Sequence, residues 1–311
     1  KYGMSMITLD CSLVLETVPS DAEERRSRYE ALPKDYRKEL EASYLSDPEA
    51  VQLGIFFDQS LLEETAVAYY KVVELAEEVY RLIRKTNRQV DLEISLDETL
   101  HTTKLAEHYF VACELYKNRV VVNSLAPRFV GEFQKAVDYI GEPDAFCEDL
   151  KGHCRIADHF GYKISLHSGS DKFKVFAALA RETGGRFHVK TSGTSWLEAV
   201  RVIAEKEPEL YRRMHQTALE HFAEAARYYE VHCDPERIAS LEETADEKLP
   251  EYMEQDDARQ LLHITYGFML KEGEGLRGCI MDTLEKQKEV YRMNLERHFA
   301  KHLSMLGCEK S

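Results

Sequence analysis

Six short β-rich runs recur along the chain, each followed by a stretch with apolar residues at helical spacing. They are MSMITLD (4–10), VDLEISLDE (90–98), RVVVNSLA (119–126), YKISLHS (162–168), RFHVKTS (186–192) and YYEVHC (228–233). The longest amphipathic stretches are EETAVAYYKVVELAEEVYRLIRK and LEAVRVIAEKEPELYRRMHQTALEHFAEAARYY. Strand–helix alternation of this kind predicts an α/β fold with a parallel sheet and helical crossovers. The polar segment 19–48 predicts a helical insertion after the first strand, and the acidic segment 234–257 an irregular connection. No Pro/Ser-rich linker or low-complexity tract intervenes, so 1–311 reads as one catalytic domain.

Alternation within the strands narrows the architecture. In VDLEISLDE, Val90, Leu92, Ile94 and Leu96 share one face, and Asp91, Glu93, Ser95 and Asp97 the other. The polar face of YKISLHS holds Lys163, Ser165 and His167, and that of RFHVKTS holds Arg186, His188, Lys190 and Ser192. A doubly wound sheet buries both faces and favours nearly all-apolar strands. One apolar and one polar face predicts instead a TIM-like (β/α) barrel, with the apolar side against helices and the polar side inward around a site. Such a barrel closes with roughly eight strands. Six are visible here and the chain opens at Lys1 just before a strand. The expectation is therefore the C-terminal part of a longer protein, short of about two N-terminal strand–helix units.

Composition adds exclusions. No window approaches about eighteen apolar residues and no basic-apolar leader opens the chain, so neither a membrane span nor secretion is predicted. The seven cysteines are scattered without a C-x-x-C pair, which predicts reduced thiols in a cytoplasm. A formal net charge of −15 argues against nucleic acid as a partner. It also means that an anionic substrate needs locally placed lysine or arginine.

The candidate chemistry lies at strand ends, where barrels of this type build their sites. A lone strand histidine is usually a hydrogen-bonded structural residue. His167 and His188 stand at equivalent strand ends on the polar face, which points to a shared divalent ion. Glu132, in SLAPRFVGEF, competes with Asp97, Glu98 and Asp10 as the carboxylate partner. The turns HSGSDK and KTSGTSW offer backbone N–H groups and hydroxyls suited to carboxylate or phosphate oxygens, although N-capping by Ser170, Asp171 or Thr194 explains them equally well. Lys172, Lys190 and Arg128 are candidates for the local positive charge. GEGLRG (273–278) matches a dinucleotide-binding fingerprint but follows a helical pattern, so it reads as a loop and no nicotinamide cofactor is expected.

LAPRFVGEFQKAVDYIG, YKISLHSGSDKF, GGRFHVKTSGTSWLEAVRVIAEKEPELY and DARQLLHITYG closely resemble the bacterial tagaturonate epimerase family, from about Met6 to about His302. The resemblance implies a metal-dependent TIM-like barrel that interconverts D-tagaturonate and D-fructuronate in hexuronate catabolism. Some members also act on the ketohexoses tagatose and fructose. It makes His167 and His188 metal ligands and Glu132 an acid/base. In the longer family members an upstream Asp-His pair adds a base and a further ligand, in a segment this chain does not include. Lys190 and Asp97 join Glu132 as catalytic candidates. Arg128, Ser168, Asp171, Lys172, Thr191 and Ser192 are the substrate-binding candidates. The ion is expected to be Zn, Mn, Fe, Co or Ni. The expected partner is a small-molecule hexuronate or ketohexose, without nucleic acid or membrane, and a homo-oligomer is compatible with the sequence.

The two uronates differ at C3, counted from the carboxylate, with the ketone at C5. The C3 hydrogen is α to neither carbonyl group, but the C3 hydroxyl is β to the ketone. Retro-aldol cleavage of C3–C4 and re-addition to the other aldehyde face is the expected route, with a base for the hydroxyl proton and an acid to return it. The competing expectations are a sugar-acid binding barrel without turnover, and a class II aldolase or ketose isomerase on the same fold.

Overall fold

A computed structural model describes residues 3–86, 89–99, 101–191, 193–229, 231–271 and 275–308. β1 (Met6–Asp10), β2 (Asp91–Ser95), β3 (Ser124–Ala126), β4 (Lys163–Leu166) and β5 (Phe187–Val189) form one five-stranded sheet in chain order. β1 to β4 pair in parallel, with Thr8 beside Glu93, Glu93 beside Ser124 and Ser124 beside Lys163. The α/β class and the parallel sheet are thus as the strand–helix alternation predicts. The sheet is open, with β1 and β5 as its edges among the described residues. Five strands do not close on themselves.

The helical insertion forms as α1 (Ala22–Glu30), α2 (Lys34–Tyr44) and α3 (Pro48–Gln52), followed by the crossover helix α4 (Gln59–Lys85). Asp21, Asp47 and Asp58 cap α1, α3 and α4 by accepting from backbone N–H groups of the first turn. α5 (Leu105–Lys117), α6 (Pro143–Phe160) and α7 (Phe173–Glu182) make the later crossovers. Leu92, Ile94, Leu125 and Ile164 fill the apolar face of the sheet. The opposite face buries Glu93, Ser95, Ser124 and Ser165, while Asp91 and Lys163 at its strand starts are exposed.

The chain divides into two compact units. The first is Lys1–Val130, Pro143–His167 and Leu179–His188, and holds nearly all of the sheet. The second is Gly131–Glu142, Ser168–Ala178 and Val189–Ser311. It is built on α8 (Ser195–Lys206), α9 (Pro208–Ala225), α10 (Asp256–Ile264), α11 (Tyr266–Met269), α12 (Leu276–Lys286) and α13 (Lys288–Met305). Leu197, Val200, Ile203, Tyr211, Met214 and Leu261 belong to its core. In its first segment Gly131, at φ +88°, lies against the Tyr139 ring, and a Cβ there would overlap the Tyr139 hydroxyl.

Three local readings change. The run at 228–233 is not a strand among the described residues: a 3₁₀ turn ends at Tyr228, and the N–H groups of His232 and Asp234 go to the side chains of Gln134 and Asp257. Within the run the His232 N–H is thus spent on a side chain and not on a strand partner. β3 is shorter than 119–126 because Arg119 takes φ +56° and Val120 N–H returns to the Leu115 carbonyl, ending α5. The long amphipathic stretch from 197 breaks at Pro208, which lacks an N–H and becomes the first residue of a new helix. In the GEGLRG motif, Gly275 caps α12 after a helical segment, while Gly273 and Glu274 lie outside the described residues. All seven cysteines are free thiols. No helix among the described residues is long and apolar enough to cross a membrane.

His215 on α9 is buried between Tyr211 and Tyr252, with its Nδ1 3.1 Å from the Tyr211 hydroxyl. Burial pushes its pKa down to about 4. Below the ordinary value the unfolded chain takes up a proton that the folded chain refuses, so this histidine removes stability as pH falls from about 6.5 toward about 4. Between pH 7 and 5 the loss from this residue is about 2 kcal/mol. His215→Phe is expected to flatten the pH dependence of chemical unfolding by that amount; an unchanged slope would place the imidazole in water.

Candidate functional site

Glu93 is the centre of the site. It lies mid-strand on β2 and is fully buried, at 0% exposure. His167, one residue past β4, directs Nε2 to Glu93 Oε1 at 2.7 Å. His188, within β5, directs Nδ1 to Glu93 Oε2 at 2.6 Å. The hydroxyls of Thr8 on β1 and Ser124 on β3 donate to Oε1 at 3.0 Å and to Oε2 at 2.5 Å. The parallel register places Thr8, Glu93 and Ser124 in one row, and His167 shares the face of Lys163, which pairs with Ser124, four residues further along.

Each imidazole also has a second fixed neighbour. His167 Nδ1 lies 3.1 Å from Asp97 Oδ1, and Ser95 Oγ donates to the same carboxylate oxygen. Ser165 Oγ lies 2.9 Å from His188 Nδ1. The His188 side chain is 33% exposed while that of His167 is 4% exposed, so the group has one side toward solvent.

Burial alone would raise the Glu93 carboxyl. The hydrogen bonds from His167, His188 and Ser124 outweigh it and hold the group ionised, far below the usual carboxylate range. Burial alone would likewise lower His167, but its bonds to Asp97 and Glu93 raise it to about 9. At neutral pH these groups therefore set a buried carboxylate against an imidazolium.

Glu93, His167 and His188 can each turn one ligand atom to a common point, and these atoms lie within 4.8 Å of one another. Two imidazoles and a carboxylate with an open side are the donor set of a catalytic divalent-metal site. A carboxylate behind a ligating histidine, as Asp97 stands behind His167, fixes ring orientation and raises ligand basicity.

The structure thus brings His167, His188 and Asp97 together in the first unit and adds Glu93, which the sequence reading placed on the polar face without giving it a role. Arg128, also in the first unit, is tied into its loop: its guanidinium donates to the Thr99 carbonyl and its N–H to Thr103 Oγ1. The other expected residues belong to the second unit. Glu132 is paired by a two-residue antiparallel bridge to Ile140, and its Oε2 accepts from Gln134 Nε2 at 2.5 Å, with His232 Nε2 at 3.5 Å. Lys190 is exposed, and its carbonyl accepts from Gly169 N–H. Thr191 is half-buried in the same segment, and Ser192 lies outside the described residues. Ser168 Oγ accepts from Lys135 Nζ at 3.2 Å. Asp171 is buried, with Oδ2 2.5 Å from an Arg259 guanidinium nitrogen.

Lys172 is placed differently from a carboxylate-binding lysine. Its side chain is buried and Nζ donates to the carbonyls of Val137 at 2.6 Å, Gln134 at 2.9 Å and Ser170 at 3.1 Å. An ammonium has three protons, and all three are used within the second unit. Burial draws its pKa down to about 8, against the opposing pull of Asp171 and Asp138.

A family model described as tagaturonate epimerase (UxaE) matches residues 1–306. The tagaturonate/fructuronate epimerase of Thermotoga maritima is 38% identical over 310 residues, which are 98% of this chain and 64% of that protein. The native crystal structure of fructuronate-tagaturonate epimerase UxaE from Cohnella laeviribosi superposes with a TM-score of 0.93 at 47% identity, covering 98% of this chain and 64% of that one. A two-glycerol complex of the same enzyme gives 0.94 at 46% identity, covering 99% and 65%. The chain spans just under two thirds of the length of these relatives.

Lys172→Met is expected to lower stability by about 3 kcal/mol or more, since three buried carbonyls lose their donor. Lys190→Met on the exposed segment is expected to stay within about 0.5 kcal/mol. Urea unfolding of the two variants checks this, and equal effects would contradict the carbonyl cage.

Proposed function

This chain belongs to the tagaturonate epimerase family, and from that premise we propose that it carries the divalent-metal centre of an enzyme interconverting D-tagaturonate and D-fructuronate. The observation that carries the reading is the convergence of His167 Nε2 and His188 Nδ1 on the two oxygens of one buried carboxylate, Glu93. The donor set fits a divalent ion: Glu93, His167 and His188 would hold it, and His188 borders the open side. When bound, the ion supplies Lewis-acid polarisation of the substrate ketone. Zn, Mn, Fe, Co and Ni all suit two imidazoles and a carboxylate.

The protein's own groups have distinct tasks. Asp97 orients the His167 ring through Nδ1, Ser165 fixes His188, and Thr8 and Ser124 hold the Glu93 carboxylate in place. C3 is α to no carbonyl group, so enolisation cannot invert it, and the route read here is cleavage of C3–C4. Loss of the C3 hydroxyl proton allows retro-aldol cleavage, and addition to the other face of the aldehyde returns the epimer. Asp97 is the proton-transfer candidate of the first unit, and a lysine or arginine is the expected anchor for the substrate carboxylate.

The open sheet is read as an arc of a (β/α) barrel. β1 to β4 run parallel in chain order, Glu93, Ser95, Ser124 and Ser165 are buried on its polar face, and the edge strand β1 leaves Ile7 39% exposed. Seven free thiols support a reducing, cytoplasmic setting.

Incubation with D-tagaturonate, followed by NMR for D-fructuronate, tests the activity. Glu93→Gln is expected to lower kcat/KM by about 100-fold or more together with metal content. Binding without turnover, or net release of cleavage products, would replace the epimerase reading. Because His167 holds a proton up to about 9, an entering ion must displace it. Metal affinity is therefore expected to rise about tenfold per pH unit above 7 and to level off near the His167 pKa. Calorimetry in buffers of different ionisation enthalpy checks the released proton, and a pH-independent affinity would sink the ligand assignment.

A further inference from the structure

The second unit contains another convergence of imidazole and carboxylate. His298 and His302 lie four residues apart on α13, so both rings project from the same side of that helix. His302 Nε2 is 3.2 Å from Asp171 Oδ1, and His298 Nδ1 is 3.9 Å from the same oxygen. His298 Nδ1 is also 3.9 Å from Glu198 Oε1 on α8. One ligand atom from each of Asp171, His298 and His302 falls within a 4.8 Å cluster. All four side chains are 12% exposed or less.

From these distances we infer that Asp171, Glu198, His298 and His302 form a second, closed binding site for a borderline divalent ion such as Zn²⁺, pinning α13 to α8 and to the turn at 168–172. Two ligand atoms about 2.1 Å from a tetrahedral ion stand about 3.4 Å apart, and the separations of 3.2 and 3.9 Å bracket that value. The far sides of the ligands are held as a metal site requires. His302 Nδ1 donates to the His298 carbonyl at 2.8 Å, and His298 Nε2 lies 3.1 Å from Thr194 Oγ1. The other oxygen of Asp171 accepts from Arg259, and Glu198 is braced by Arg201 Nε at 3.4 Å. Without an ion, the Asp171 N–H donates to His302 Nε2 at 3.0 Å, a bond that ligation would replace. Four protein ligands leave no open position, which marks a structural centre, not a reactive one.

Titration of the chelator-treated chain with Zn²⁺, followed by calorimetry and metal analysis, tests this. Two equivalents are expected for the unaltered chain. One is expected for His298→Gln and for His302→Gln, whose amide oxygen still accepts from Asp171 N–H. Glu93→Gln is expected to lose the other equivalent, so failure of either centre is seen separately. Saturating Zn²⁺ should raise the unfolding midpoint of Glu93→Gln but not that of the Glu93→Gln/His298→Gln double variant. A single equivalent in the unaltered chain that His298→Gln retains, or two in His298→Gln, would overturn the proposal. Should the glutamine variants unfold, Co²⁺ titration of the unaltered chain decides: an equivalent with the intense band of a closed tetrahedral centre supports the site, and saturation without that band removes it.

Discussion

An ionised carboxylate with no exposure to water cannot persist in a sheet unless both of its oxygens are answered, and Glu93 imposes that condition on every strand around it. Thr8 comes from β1, Ser124 from β3, His167 from the end of β4 and His188 from β5. Each neighbouring strand supplies one partner, which works because the strands lie side by side in chain order, with Thr8 and Ser124 in register with Glu93. A slip of one residue on any of them would turn its polar side chain to the other face and leave Glu93 short of a partner. The charge at the centre and the topology of the sheet are thus one constraint.

Much of this was legible in the chain. Five of the six β-rich runs became strands, and the polar insertion became helices with aspartate caps. The period-two pattern placed Glu93, Ser95 and His167 on the face where the site lies. Glu93 is not among the strand-end candidates because it stands in the middle of β2. The signal was there: a glutamate between Leu92 and Ile94 in a buried strand is expensive to bury without a partner. The run at 228–233 misled because β propensity describes a surface to be packed against, and here the backbone donors were claimed by Gln134 and Asp257.

Charged residues in Gly/Ser-rich turns were harder to read. Sequence spacing cannot distinguish a lysine that faces solvent from one that closes on its own backbone. Lys172 does the latter, joining the carbonyls of 134, 137 and 170, segments distant in the chain. Asp171, beside it at φ +58°, turns inward to Arg259 and the α13 histidines. Asp97 has a comparable role in the first unit, where it braces an imidazole. In each case the partner comes from far along the sequence, and only the folded chain discloses it.

The shortness of β5 has a kinetic corollary. His188 rides on three residues at a sheet edge, partly open to water, whereas Glu93 and His167 are locked inside. Edge segments with few contacts fray at a small fraction of the global unfolding free energy. Of the three donors His188 would release first, leaving the other two as a fixed claw. Exchange of anything held there would proceed through that hinged finger, at a rate set by local breathing and not by the stability of the whole.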